Sequence, residues 1–200
     1  MTAALRAISA QRDVGLVADS LREITVAVHP AGARRAGEGA GVIWHPAGLL
    51  ITNAHCVRHR RVAARTSDGR TFDAEVVAHE PRLDLALLVA PGLRGRAPEL
   101  GDVEALRPGE LLLALGHPLG VREALAMGVL YAVARDPRSG SARWICADVR
   151  LAPGNSGGPL ADAAGRVVGI NTMVAGGLGL AIPTPVVQRF VSRARPAQAA

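Results

Sequence analysis

Pro153-Gly154-Asn155-Ser156-Gly157-Gly158-Pro159-Leu160 is a glycine-rich run between two short apolar segments, 144–148 before it and 160–162 after it. Such a composition marks a tight turn between strands. The same punctuation continues outward along the chain. Short apolar runs bounded by Gly, Pro, Asp or Asn recur at 41–44, 49–52, 62–65, 72–79, 85–89, 111–115, 124–135, 167–171 and 179–182. Ahead of them Ile24, Val26 and Val28 alternate as a strand that Pro30 ends. With 23 Gly and 13 Pro for turns, this spacing predicts an all-β barrel or sandwich. Asp68-Gly69 reads as a hairpin turn. Residues 91–108 read as a turn-rich connector between two β halves, and 31–39 as a mobile loop.

Helical patterns are confined to the ends. Asp13 can cap a short helix in which Val14, Val17, Ala18 and Leu21 share one face, preceded by a loose segment. Thr184-Pro185 opens a closing helix with Val186, Val187, Phe190 and Val191 on its apolar side. The expected organisation is an N-terminal segment and helix over 1–22, one domain over 23–191 and a disordered tail over 192–200. Within the domain, one half spans about 23–100 and the other about 109–183.

Composition bounds the function. Apolar residues make up 49% of the 200 residues, ample for a folded core, although aromatics are only 2%. The formal charge is +6 and every basic residue other than His is Arg. A basic balance admits anionic partners. The Arg residues are scattered, however, and lack the aromatic interleaving of an RNA-binding sheet, so no nucleic-acid partner is expected. The densest run, Arg58-His59-Arg60-Arg61, reads as a solvated face. Cys56 and Cys146 are neither a disulfide scaffold nor a CxxC zinc site, and two thiols suit a reducing compartment. Residues 1–10 lack the charge and apolar core of a signal peptide. No apolar run approaches the roughly 20 residues of a membrane span. The expectation is a cytoplasmic location with no membrane partner.

Three short motifs carry chemistry. A serine hydroxyl needs a base to take its proton and converging N–H groups to hold the oxygen it charges. Ser156 has glycines on both sides: Gly154 permits a tight turn, and Gly157 and Gly158 keep side chains out of a crowded site. A plain β-turn would explain the Gly and Asn but not the ordered run. His55, in Thr52-Asn53-Ala54-His55-Cys56-Val57, follows an apolar strand and sits where a site can open. Asp84, at the mouth of the apolar strand 85–89, is costly to bury without donors such as an imidazole N–H. His55 and His59 are four apart, as in H-E-x-x-H, but Cys56 stands where that motif needs Glu. No metal site is expected.

The order His, Asp, Ser matches the chymotrypsin chain order, and Ser156 lacks a G-x-S-x-G elbow. At these residues the sequence resembles the trypsin-like serine proteases, specifically the HtrA/DegP group. The resemblance runs over about 39–183. It rests on Gly39-Ala40-Gly41-Val42-Ile43, TNAHCV around His55, DLALL from Asp84, Gly116-His117-Pro118-Leu119-Gly120, GNSGGPL around Ser156, Gly169-Ile170-Asn171-Thr172 and Gly179-Leu180-Ala181-Ile182-Pro183. It implies a chymotrypsin-like double β-barrel, two six-stranded Greek-key barrels with the site in the cleft between them. It implies His55, Asp84 and Ser156 as the catalytic triad of a serine endopeptidase, without cofactor or metal. The backbone N–H groups of Gly154 and Ser156, helped by Asn155, would form the oxyanion hole. Sites of this group can rest with that hole collapsed until a ligand orders nearby loops, here 124–142.

The substrate pocket is expected from Arg150, Leu151, Thr172, Met173, Val174 and Gly179. Arg150 takes the place where trypsins carry Asp, which argues against a basic P1. Leu151, Met173 and Val174 favour a small or medium apolar P1; an inward Arg150 would favour an acidic one. The resemblance implies protein quality control on unfolded protein or peptide substrates and leaves room for a homotrimer. The PDZ domain that usually follows in this group is not expected here. The alternative reading is a catalytically silent peptide-binding module on the same fold.

Overall fold

Alternation along the strands sorts the apolar side chains into three cores, and the site lies where those cores meet. The structure, a computed structural model, describes residues 3–31, 39–118, 121 and 123–194, with side chains from residue 13 onward. Helix α1 (Ala3–Ile24) leads into six strands: β1 (Thr25–Pro30), β2 (Gly39–His45), β3 (Leu49–Thr52), β4 (Arg61–Arg65), β5 (Thr71–Glu80) and β6 (Leu85–Val89). A single 3-10 turn, Ala54–Cys56, follows β3. After a connector come β7 (Leu111–Gly116), β8 (Ala124–Arg135), β9 (Ala142–Asp148), β10 (Pro159–Asp162), β11 (Val167–Ala175), β12 (Leu178–Pro183) and helix α2 (Thr184–Ala194). All pairings between these strands are antiparallel, and each set of six closes into a barrel, in the orders β1-β2-β3-β6-β5-β4 and β10-β11-β12-β9-β8-β7. This is the expected chymotrypsin-like double β-barrel.

Successive side chains on a strand face opposite ways. On β6, Ala86 and Leu88 fill the first barrel, while Leu85 and Leu87 face the space between the barrels. On β7, Leu112 and Ala114 fill the second barrel, and Leu113 and Leu115 meet the same shared space. Leu21 and Ile24 of α1 and Val187 and Phe190 of α2 complete this shared core. The connector also contributes: Leu93 is buried in the first barrel, and Val103 and Leu106 in the second.

The expected face of α1 forms as read, with Ala18 and Leu21 buried and Val14 and Val17 packed on the shared core. The helix is longer than expected. It starts at Ala3 rather than Asp13, because the intervening Ala, Leu, Arg and Gln are strong helix formers with no proline among them. Ile24 closes the helix instead of opening the strand. At the other end α2 continues through Ser192, whose hydroxyl donates to the carbonyl oxygens of Gln188 and Arg189. The 192–200 tail therefore begins as helix, and 195–200 lies outside the described residues. The loop expected over 31–39 lies outside them too, except for its two end residues.

Candidate active site

His55, Asp84 and Ser156 come from three separate segments. β3 delivers His55 on the 3-10 turn, half exposed, with its side chain 50% accessible. Residues 80–84 make a tight turn into β6, in which the Leu83 and Asp84 N–H groups donate to the Glu80 and Pro81 carbonyls. Asp84 ends the turn at φ 53°, a left-handed conformation that Asp tolerates better than most side chains. That backbone aims its carboxylate back at His55. The imidazole Nδ1 lies 2.9 Å from Asp84 Oδ2 and 3.0 Å from Oδ1, and the His55 backbone N–H donates to Oδ1 at 3.1 Å.

Two residues outside the predicted catalytic trio hold Asp84 in place. The fully buried Asn53 donates from Nδ2 to the Asp84 carbonyl at 2.9 Å, and the Thr172 hydroxyl donates to Oδ2 at 2.5 Å. Thr172 is the extra residue of a bulge in β11: Asn171 pairs with Ala181 and Met173 with Leu180. A bulge turns a strand locally and re-aims its side chains. Burial pushes the Asp84 carboxyl up. The hydrogen bonds from the His55 ring, the Thr172 hydroxyl and the His55 N–H outweigh it and hold the group below the usual carboxylate value. His55 moves the other way, to about 10, chiefly through its hydrogen bond with Asp84 and next through its contact with Cys56; burial opposes both.

The Ser156 hydroxyl donates to the Thr172 carbonyl oxygen at 2.8 Å and, among the described residues, forms no hydrogen bond with His55. Cys56 Sγ is 3.6 Å from the Ser156 carbonyl, which also accepts the Ala40 N–H at 2.8 Å. Ser156 is thus held at its backbone by the first barrel, while its own segment belongs to the second.

The glycines around Ser156 are required by contact. Gly154 has φ 105°, and a Cβ there would lie 2.3 Å from the His117 carbonyl oxygen. Gly157 has φ 85°, and a Cβ there would lie 2.1 Å from the Ala40 carbonyl oxygen. The Asn155 N–H is taken by Ala152 at 3.0 Å and the Gly157 N–H by Asn171 at 2.8 Å. The N–H groups of Gly154 and Ser156 take no acceptor among the described residues. They are therefore available to a ligand oxygen.

The model of a trypsin-like peptidase domain matches residues 39–170.

The chain belongs to the trypsin-like peptidase family.

Serine protease HTRA1 of Xenopus laevis is 36% identical over 166 residues, covering 78% of this chain and 36% of the relative. Periplasmic serine endoprotease DegP of Salmonella typhimurium is 36% identical over 166 residues, covering 78% and 35%. The chain thus spans about a third of the length of these relatives. Among solved structures, HtrA-type protease AlgW with a decapeptide superposes with a TM-score of 0.78 at 28% identity, covering 90% of this chain and 66% of that one.

In this peptidase domain a cleft of about 400 Å³ opens beside Ser156. His55 and Ser156 both line it, with Leu151, Thr172, Met173 and Val174 from the predicted pocket, and with Ala152 and Pro153. Arg150 is exposed and outside the lining. Gly179 stands behind it: a Cβ there would lie 3.0 Å from Leu151 Cδ1, so the glycine lets Leu151 lie against β12. Sequence reasoning assigned Thr172 to substrate alone and overlooked Asn53. The signal in the sequence is an Asn at the end of the apolar run 49–51, two residues before His55, since an amide buried there requires a partner.

Proposed function

We propose that the chain is a serine endopeptidase domain in which His55, Asp84 and Ser156 act as a triad. The observation that carries this reading is the His55 ring, held on one side by the Asp84 carboxylate and open on the other to the cleft that Ser156 lines. Ser156 Oγ attacks the scissile carbonyl carbon as His55 Nε2 takes its proton. The oxygen becomes an anion facing the Gly154 and Ser156 N–H groups. When the tetrahedral adduct collapses, the C–N bond breaks and His55 returns the proton to the leaving amine. Water then repeats the sequence on the acyl-enzyme with the same base. Asp84 fixes the Nδ1–H tautomer and stabilises the imidazolium.

Attack requires the Ser156 hydroxyl to leave Thr172 and turn toward His55. Side-chain rotamer changes of this kind are fast beside turnover. The hydroxyl's present partner also gives the second reading its basis: a domain that keeps this rotamer would bind peptides in the cleft without cutting them. For a working enzyme, Leu151, Met173 and Val174 favour a small or medium apolar P1, and the exposed Arg150 adds nothing to an acidic preference. The similarity to HtrA-type proteases supports unfolded proteins as substrates in a quality-control role. Cleavage of casein by the wild type and not by Ser156→Ala, with fluorophosphonate labelling of Ser156, is the expected result. Absence of labelling, with peptide binding retained, would leave the binding module as the reading.

A further inference from the structure

A second cavity, larger than the cleft at about 560 Å³, lies between β5, the β8–β9 turn and α2. Its floor is apolar: Trp144, Phe190, Ile182, Ala78 and Leu83, with Ile182 and Phe190 belonging to the shared core and Trp144 and Ala78 packed against it. The chain has only five aromatic residues outside His, two Trp, two Phe and one Tyr. Two of them line this one cavity. A volume of this size suits a small organic molecule or two to three peptide residues.

The wall carries the opposite character. Arg82, Arg143, Arg189 and Arg193 all line the cavity. Arg82, Arg189 and Arg193 enter none of the ion pairs formed among the described residues. The two acids present are partly engaged: Glu80 accepts the Arg82 N–H at 3.1 Å, and Asp136 accepts the N–H groups of Arg138 and Ser139 at 2.9 Å each. Arg189 and Arg193 stand four apart on α2, a like-charge spacing that weakens a helix unless an anion lies between the pair. An aromatic floor under unpaired guanidinium groups asks for an apolar body ending in a carboxylate, which arginine holds through two parallel N–H bonds.

We propose that this cavity binds a small apolar carboxylate, with the body on Trp144 and Phe190 and the carboxylate against Arg189 and Arg193. The ligand chemistry has two sources, a free aliphatic acid or the C-terminus of a short peptide ending in an apolar residue. The site is separate from the cleft and does not depend on whether the domain cuts peptides.

The test uses the Ser156→Ala protein, so binding is read without turnover. Octanoate, octanamide, acetyl-Ala-Ala-Leu acid and its carboxamide are titrated by calorimetry, and Trp144 emission is followed in a Trp44→Phe background. Octanoate or the peptide acid should bind with Kd below about 1 mM and shift Trp144 emission. The neutral analogues, and the Arg189→Gln/Arg193→Gln variant with either acid, should be weaker by about tenfold. These arginines are exposed, so the variant keeps its fold. Binding of only one acid names the source. Equal binding of acid and amide, binding unchanged by the double substitution, or no Trp144 response to either acid would overturn the proposal; the last two outcomes would place any bound acid elsewhere on the protein.

Discussion

The carbonyl oxygen of Thr172 accepts the hydroxyl proton of Ser156 at 2.8 Å. The same residue's hydroxyl donates to Asp84 Oδ2 at 2.5 Å. One bulged residue of β11 therefore holds both the nucleophile candidate and the carboxylate. Thr172→Val keeps the carbonyl and removes the donor, leaving Asp84 with the His55 ring and N–H as its donors. A hydrogen bond to a charged group is worth about 1.5–3 kcal/mol. Thr172→Val should lower kcat/KM by about tenfold or more, and Thr172→Ser should restore most of it. Equal activity of the Val and Ser variants would remove Thr172 from the site.

The pH profile follows from the His55 environment. An unperturbed imidazole would put the acid limb near 6.5, but the Asp84 hydrogen bond and then the Cys56 contact raise this ring to about 10. A raised pKa means the base form is gained only as pH climbs, so kcat/KM should rise through neutrality into the alkaline range. The same shift makes the His55–Asp84 pair a stabilising contribution present in full below pH 6.5 and lost as pH rises through about 10. On the acid side the pair is lost as Asp84, held below 3.8, takes its proton. Removing the Cys56 contribution lowers the His55 value, so Cys56→Ala should move the limb toward neutral pH. A limb near 6.5 in both proteins would show that neither partner raises the ring's pKa in the free enzyme.

The glycines flanking Ser156 make a sharper structural prediction. Gly157→Ala places a methyl 2.1 Å from the Ala40 carbonyl and 2.4 Å from the Thr52 hydroxyl, at a φ of 85° that alanine disfavours. Backbone atoms cannot yield as a side-chain tip can. Gly157→Ala should cost about 3 kcal/mol or more by urea denaturation. Gly15→Ala, with open space around it, should be neutral or stabilising. A Gly157→Ala protein as stable as the wild type would mean that β2 and the Ser156 segment are not held this closely.

The strand ladder was legible because its signals are local. Leu49–Thr52, Leu85–Val89 and Ala124–Arg135 form where alternation and turn residues put them. What the sequence left hidden depends on register. Thr172 is re-aimed by an irregular pairing with β12, which no local pattern encodes. Asn53 reaches the Asp84 backbone across 31 residues. The start of α1 was misplaced because Asp13 offers a cap signal that propensity overrides. The orientation of the Ser156 hydroxyl is equally invisible in a motif, since the run of glycines sets the backbone and not the rotamer.

Residues of both barrels share one buried core, so the two barrels should unfold as one unit. Leu113 of β7 is 1% exposed and packs with Leu85 and Leu87 of β6 and Leu21 of α1 in a single cluster. Neither barrel can open this layer without exposing apolar surface on the other. Leu113→Ala should cost about 3 kcal/mol, within the range for a buried leucine whose cavity cannot collapse. Each barrel carries one tryptophan, Trp44 on β2 of the first and Trp144 on β9 of the second, and both pack against the shared core. In Trp44→Phe and Trp144→Phe proteins the remaining emission should follow one urea transition with the same midpoint, and Leu113→Ala should lower both midpoints together. Separated transitions, or a Leu113→Ala shift confined to Trp144, would show that the barrels fold independently and that the cleft between them is assembled after each has closed.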